Sequence, residues 1–214
     1  MLVYDFQNIG KIKNLKNSEY VEPNHGASIQ NIPNTILGGF NYSQYKMIPP
    51  HRNESMKTMT ELLKLSNTPS DDEFTLKMDK VKESFKELCE GLGLNFPKKK
   101  VKELKDAAGS VILDLKYHFN RPRPYQLAEY YGIKLGENIL ESMKTPSYPS
   151  GHSAQGTLIG KVLQTKLPIN TNAFIEAGKR ISYSRNIGGA HYPSDSEMGE
   201  NIGHRMYEYI IHKI

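Results

Sequence analysis

From about residue 55 to its last residues, this 214-residue chain spaces its apolar side chains three or four positions apart, and no stretch shows convincing one-in, one-out alternation. That spacing is the period of an α-helix with one buried face. Met56, Met59, Leu62, Leu63 and Leu65 predict a first helix. Asp71-Asp72 opens a second, with Phe74, Leu76, Met78, Val81, Phe85, Leu88 and Leu92 as one apolar stripe and glycines at 91 and 93 to end it. Pro97 starts a third, running through Val101, Leu104, Ala108, Val111 and Leu115 toward Phe119. Short helical signals follow near residues 124–131 and 136–143. A fourth long helix runs from near Ser150 to Leu167, where Pro168 stops it; a fifth runs from about Asn172 to Arg185, and a sixth from near Pro193 onward. The expected fold class is all-α, a single compact helical bundle formed by residues 55–214.

Residues 1–54 read differently. They are rich in Asn, Gly, Pro and Ser, with Pro23, Pro33, Pro49 and Pro50 as breakers and Asn24-His25-Gly26 as a turn. They are expected to form an irregular arm that wraps the bundle. Cys89 is the sole cysteine, so no intramolecular disulfide can form and no oxidising compartment is needed. The start carries Asp5 and lacks the apolar stretch of a secretory signal, and no apolar run approaches the roughly 18 residues of a membrane span. A soluble, cytoplasmic chain is the expectation. The net charge of +5 suits either a nucleic acid or a pocket for anions. The one dense basic run, Lys98-Lys99-Lys100, reads as a solvated helix start, so no nucleic-acid partner is expected.

Three segments carry the chemistry: Lys116-Tyr-His-Phe-Asn-Arg-Pro-Arg123-Pro124; Ser147-Tyr-Pro149-Ser150-Gly151-His152; and Ser184-Arg185-Asn-Ile-Gly-Gly-Ala-His191-Tyr-Pro-Ser-Asp195. Lys116, Arg123 and Arg185 are cations among apolar neighbours. A lone buried cation is costly, so three of them without matching carboxylates suggest an anionic guest, and phosphate suits the arginine fork and the lysine point charge. An alternative pairs Arg185 with Glu176 or Glu197. Ser150 fits an N-cap and Gly151 lets a ligand approach the backbone; a helix starting there offers free N–H groups to an anion. If Pro193 opens a helix, Asp195 can turn back to the His191 ring, fix its tautomer and sharpen its other nitrogen as a nucleophile. Arg121-Pro122 offers a rival register to Arg123-Pro124. Seven residues make nearly two helical turns, so on a helix running that far Lys116 and Arg123 share a face to within about 20° while Arg121 points away.

Together the three segments, in this order, resemble the signature of the type 2 phosphatidic acid phosphatase (PAP2) superfamily, which includes bacterial class A acid phosphatases and vanadium haloperoxidases: Lys-x6-Arg-Pro, then Pro-Ser-Gly-His, then Ser-Arg-x5-His-x3-Asp. The resemblance covers roughly residues 110–205. It implies a phosphomonoesterase in which His191 attacks phosphorus, Asp195 orients it and His152 protonates the leaving oxygen. Lys116, Arg123, Ser150, Gly151 and Arg185 would then hold the phosphoryl oxygens of a small phosphorylated substrate, with no metal ion or other cofactor. The alternatives are a haloperoxidase-like enzyme holding vanadate in the same pocket, which would otherwise be only an inhibitor, and a non-catalytic phosphate-binding protein. Both histidines argue against mere binding. Action on lipid phosphates is a further reading. His118, His204 and His212 lack matching partners and read as surface or packing residues, and Cys89 reads as structural.

Overall fold

The computed structural model describes residues 6–16, 29–136, 140–168 and 171–214. Helices α1 (Phe6–Asn14), α2 (Met56–Ser66), α3 (Asp72–Asp79), α4 (Val81–Gly91), α5 (Lys98–Phe119), α6 (Pro124–Ala128), α7 (Gly151–Lys166), α8 (Ala173–Ile187) and α9 (Pro193–Ile210) account for most of these, and no strand is present among the described residues. The fold class is all-α.

Local chemistry sets the helix starts. Ser55 Oγ accepts the Thr58 N–H, Asp71 Oδ1 accepts the Phe74 N–H, and Ser150 Oγ accepts the Ser153 N–H, each satisfying one donor that the first turn leaves free. Pro193 occupies the first turn of α9, where its missing N–H costs nothing. α7 runs through the centre and packs against α5, α8 and α9, while α8 also receives α3 and α4. Burying side chains such as Leu104, Leu115 and Leu158 in this core contributes roughly 2 kcal/mol each. The central crossings are close. A Cβ added at Gly160 would lie 2.5 Å from the Phe174 carbonyl oxygen, and one at Gly178 2.6 Å from that of Gly156. The small residues of α7 therefore serve helix contact.

The structure departs from the sequence reading at three places. The second stripe forms two helices, α3 and α4, with Lys80 between them at φ −94° and ψ 68°, outside the helical region. The stripe hides this break because Phe74, Met78, Val81 and Phe85 keep helical spacing across it; Leu76 and Leu92, counted in the stripe, are exposed. Second, α5 stops at Phe119. Asn120 takes the left-handed conformation at φ 49°, which asparagine tolerates, so residues 121–123 are not helical and the shared-face argument for Arg123 does not apply. Third, α1 lies inside the segment read as irregular. Its Ile12 is buried with Leu62, Leu127 and Tyr192, and Asn53 Nδ2 donates to the carbonyls of Ile12 and Leu15 at its end. Ile32, Leu37, Phe40 and Tyr45 enter the main core. Pro23 and the turn around His25 lie outside the described residues, as do residues 137–139 of the signal at 136–143; residues 141–144 form a single 3-10 turn.

Candidate active site

The site is assembled where α5, α7, α8 and α9 begin or end. The last turn of α5 delivers Lys116 into the interior, where its ammonium donates to the carbonyls of Pro146 and Ser147. Burial, then the neighbouring Arg123, push its pKa well below that of an ordinary lysine. Arg123, 1% exposed, spreads its fork over three carbonyls and a ring: Nε to Thr145 O at 2.8 Å, Nη2 to Ser142 O at 3.1 Å, Nη1 to Ala190 O at 2.7 Å and to His191 Nε2 at 3.0 Å.

That last contact fixes the His191 tautomer. A guanidinium only donates, so Nε2 must present its lone pair. Nδ1 then carries the proton, and it faces Asp195 Oδ2 at 3.2 Å. Pro193 makes this geometry: starting α9 two residues before Asp195, it turns the carboxylate back over the first turn, where Oδ2 also accepts the Tyr192 N–H. Burial first, then Arg123, push the His191 pKa well below the ordinary histidine value. Burial pushes Asp195 the other way, but Arg121, His191 and Ser147 together outweigh it and hold the carboxyl below the usual carboxylate range. His191 is thus a neutral imidazole with a fixed, oriented lone pair among cations.

His152 follows the cap residue Ser150 in the first turn of α7. Its Nε2 lies 3.0 Å from the Asp79 carbonyl oxygen and 3.2 Å from Asp79 Oδ1, so Nε2 carries a proton. Burial and then Arg185 push its pKa down, and Asp79 opposes them. Arg185, near the end of α8, is fully buried. Its Nη1 meets Asp79 Oδ1 at 2.8 Å and its Nη2 donates to Ser142 Oγ at 2.9 Å, while its buried Nε has no hydrogen-bond partner among the described residues. The expectation that all three cations lack carboxylates fails here: Arg185 pairs with Asp79, not with Glu176 or Glu197. Gly151 sits at the helix start, where an added Cβ would meet only Ile112 Cγ2, at 3.6 Å.

Every sequence-selected residue is therefore brought into one region: Lys116, Arg123, Ser150, Gly151, His152, Arg185, His191 and Asp195. Several partners were missed, Ser142 and Thr145 beside the arginines among them. Asp79 is another, delivered by the hidden break after α3. Arg121, considered only as a rival register, meets Asp195 Oδ1 at 2.6 Å, and its guanidinium stacks 3.7 Å from the Tyr192 ring centre. Glu61 on α2 accepts from Arg121 and from the Ser194 N–H at 2.6 Å. Ser147 donates to Asp195 Oδ2. Arg121 and Ser147 lay inside the quoted segments, whereas nothing local marks Asp79 or Glu61. Among the described residues no group of three or more His, Cys, Asp or Glu could hold a metal ion, and no helix is long and apolar enough to cross a membrane. His118, His204 and His212 are exposed and Cys89 is buried.

A stretch of 89 residues is 37% identical to a non-specific acid phosphatase of Salmonella typhimurium and covers 41% of this chain. The corresponding protein of Salmonella typhi is 36% identical over a stretch of the same length. The match spans 35% of the length of these curated relatives. A crystal structure described as the first bacterial vanadium-dependent iodoperoxidase aligns over 95% of this chain and 53% of its own, at 16% identity and a TM-score of 0.46, a likeness too slight to bear on chemistry. Residues 106–211 match the model of the PAP2 superfamily, a span that holds all three motifs, and through it the chain belongs to that superfamily.

Proposed function

We propose that this protein is a phosphomonoester hydrolase that works through a phosphohistidine on His191 and needs no metal ion. The observation that carries the reading is the His191 ring: buried, neutral, its Nδ1 proton held by Asp195 and its Nε2 lone pair turned toward Arg123. A phosphoryl oxygen that takes over the Arg123 N–H frees this lone pair to act as a nucleophile at phosphorus. Lys116, Arg123, Arg185, the Ser150 hydroxyl and the first N–H groups of α7 supply the charge stabilisation that a metal provides elsewhere.

In the first step the Nε2 lone pair forms the bond to phosphorus as the ester P–O bond breaks, and the departing alkoxide takes a proton from His152. Asp79 holds the Nε2 proton, so His152 enters this step as the imidazolium and delivers its second proton from Nδ1. In the second step His152 accepts a proton from water, the water oxygen attacks phosphorus, and the P–N bond breaks to release phosphate and restore His191. Asp195 stabilises the ring while it carries the phosphoryl group. The named relatives are non-specific acid phosphatases, which agrees with a small phosphorylated substrate and few contacts beyond the phosphoryl group.

The test is phosphate release from a panel of phosphomonoesters in excess EDTA, with labelled substrate to trap the phosphoenzyme. Turnover should survive the chelator, vanadate should inhibit more tightly than sulfate because it can mimic the five-coordinate transition state, and His191→Ala should abolish both turnover and labelling. Activity lost to EDTA and restored by a divalent ion overturns the metal-independent mechanism. Halide oxidation with vanadate and peroxide, without phosphate release, overturns the hydrolytic reading.

A further inference from the structure

α7, α8 and α9 meet with their backbones in near contact; a Cβ on Gly199 of α9 would lie 2.3 Å from the Ser150 carbonyl oxygen. Three buried hydroxyls stand in a row in this seam. Ser153 Oγ is 2.9 Å from Ser150 Oγ, and Ser182 Oγ of α8 is 2.8 Å from Ser153 Oγ. Ser182 is hydrogen-bonded in turn to the half-buried carboxylate of Glu200 on α9. Close packing explains small residues here, and alanine would meet that need. It does not explain three hydroxyls joined end to end between the phosphate cradle and a carboxylate.

Counting protons shows what the row can do. A serine hydroxyl brings one proton and a carboxylate none. In the structure Ser153 donates to Ser150 and Ser182 to Ser153. Ser182 holds one proton, so with Glu200 ionised it must donate to Glu200 instead, and the row turns over, Ser153 donating to Ser182 and Ser150 to Ser153. Three links use three protons, and all point away from the cradle. A phosphoryl oxygen placed on Ser150 adds a fourth link, which three hydroxyl protons cannot fill. The fourth proton comes from Glu200 in its protonated form, which reverses the whole row, or from a phosphoryl monoanion that donates to Ser150. Without it, two buried oxygens face each other across 2.8 or 2.9 Å with no hydrogen between them.

We propose that Ser153, Ser182 and Glu200 are positioning residues for Ser150, and that binding a phosphoryl dianion there draws one proton into the row at Glu200. The proposal rests on Ser150 holding the phosphoryl group, as in the function above. The charged groups about Glu200 are His204, one turn further along α9, and Lys161 of α7, whose Nζ lies 2.8 Å from His204 Nδ1; α8 presents Ser182.

The experiment measures the Ki of inorganic phosphate, as a competitive inhibitor, from about pH 5 to about pH 9, a range that extends about two units either side of its second ionisation. Wild type is compared with Glu200→Gln and Ser182→Ala, and each is repeated in a His204→Gln background to remove the neighbouring titration. Glutamine gives Ser182 an N–H at every pH. Alanine at 182 frees Ser153 to donate to Ser150. Below the second ionisation of inorganic phosphate, about pH 7, the monoanion brings its own proton, so the three Ki values should lie close together. Above it the wild-type Ki should rise relative to both variants by up to about tenfold per pH unit, the signature of one coupled proton. The rise should level off on the order of a hundredfold, where breaking one link costs less than protonation. If Ser182→Ala fails to fold, Glu200→Gln, at a partly exposed position, carries the test. Competitive inhibition with a flat ratio between wild type and Glu200→Gln overturns the relay alone. Absence of phosphate inhibition in every form overturns Ser150 as a ligand, and the relay falls with it.

Discussion

Arg121 and Arg123 are two residues apart and equally charged, yet they grip opposite ends of the His191–Asp195 pair. Arg121 binds the carboxylate from behind, with Glu61 and the Tyr192 ring around it. Arg123 lies against the histidine nitrogen on the pocket side. Their substitutions should fail differently. Arg121→Ala strips a fully buried carboxylate of its strongest counter-charge, which costs about 3–5 kcal/mol when a buried pair is broken from one side. Arg123→Lys keeps the charge but loses the fork, so a transition-state contact should disappear, with kcat/KM falling on the order of 10²–10³-fold. Urea melts and steady-state kinetics on both variants test this. A stable Arg121→Ala enzyme beside an Arg123→Lys enzyme of normal kcat/KM would exchange their places in the site.

At the scale of elements, the break at Lys80 does the most for the site. It ends α3 at Asp79, so a carbonyl and a carboxylate reach His152 and Arg185 together. Asp79 raises the His152 pKa against burial and Arg185. Asp79→Asn should therefore lower it further. A general acid must be protonated to act, so the alkaline limb of the pH–kcat profile on an alkyl phosphate should move to lower pH; an unmoved limb would leave Asp79 as a structural partner of Arg185 only. No local signal announces this element boundary. Lys80 is an ordinary helix former, and Phe74, Met78, Val81 and Phe85 carry one helical period through it. The long helices were legible because their stripes end at signals with a mechanism, as at Pro168 and Pro193. Likewise Ser150 as a cap and Asp195 beside His191 followed from short-range geometry. Arg123 was chosen over Arg121 by assuming a helix that Asn120 in fact ends. Asp79 and Glu61 were not legible, since they approach the site only through tertiary packing, from α3 and α2.

The whole molecule holds together around this charge arrangement, which fixes how its stability answers pH and ligand. The site joins Asp79, residues 116–123, residues 142–152 and residues 185–195, so it exists only in the folded chain. Burial lowers the pKa of His191 and of His152, whereas in the unfolded chain both titrate near the ordinary histidine value of about 6.5. As pH falls below that value the unfolded state binds protons that the folded state refuses, and stability declines. Asp195 and Asp79 act in the same direction further down: their folded pKa values lie below the ordinary aspartate value of about 3.9, so the stability they contribute is complete above it and lost as pH falls through the folded values. A phosphate ion that binds the native cradle alone should oppose this decline, adding about 2.7 kcal/mol at a hundredfold excess over its Kd. His191→Ala removes the nucleophile but leaves Lys116, Arg123, Arg185 and the start of α7, so phosphate should still stabilise it although turnover is gone. Thermal melts of both forms at about pH 7 and about pH 5, with phosphate or with chloride at equal ionic strength, read this directly. The midpoint should fall with acid, rise with phosphate and respond little to chloride, in both forms. An equal rise with chloride would mean that salt merely screens the clustered cations, and that no built phosphate site is present.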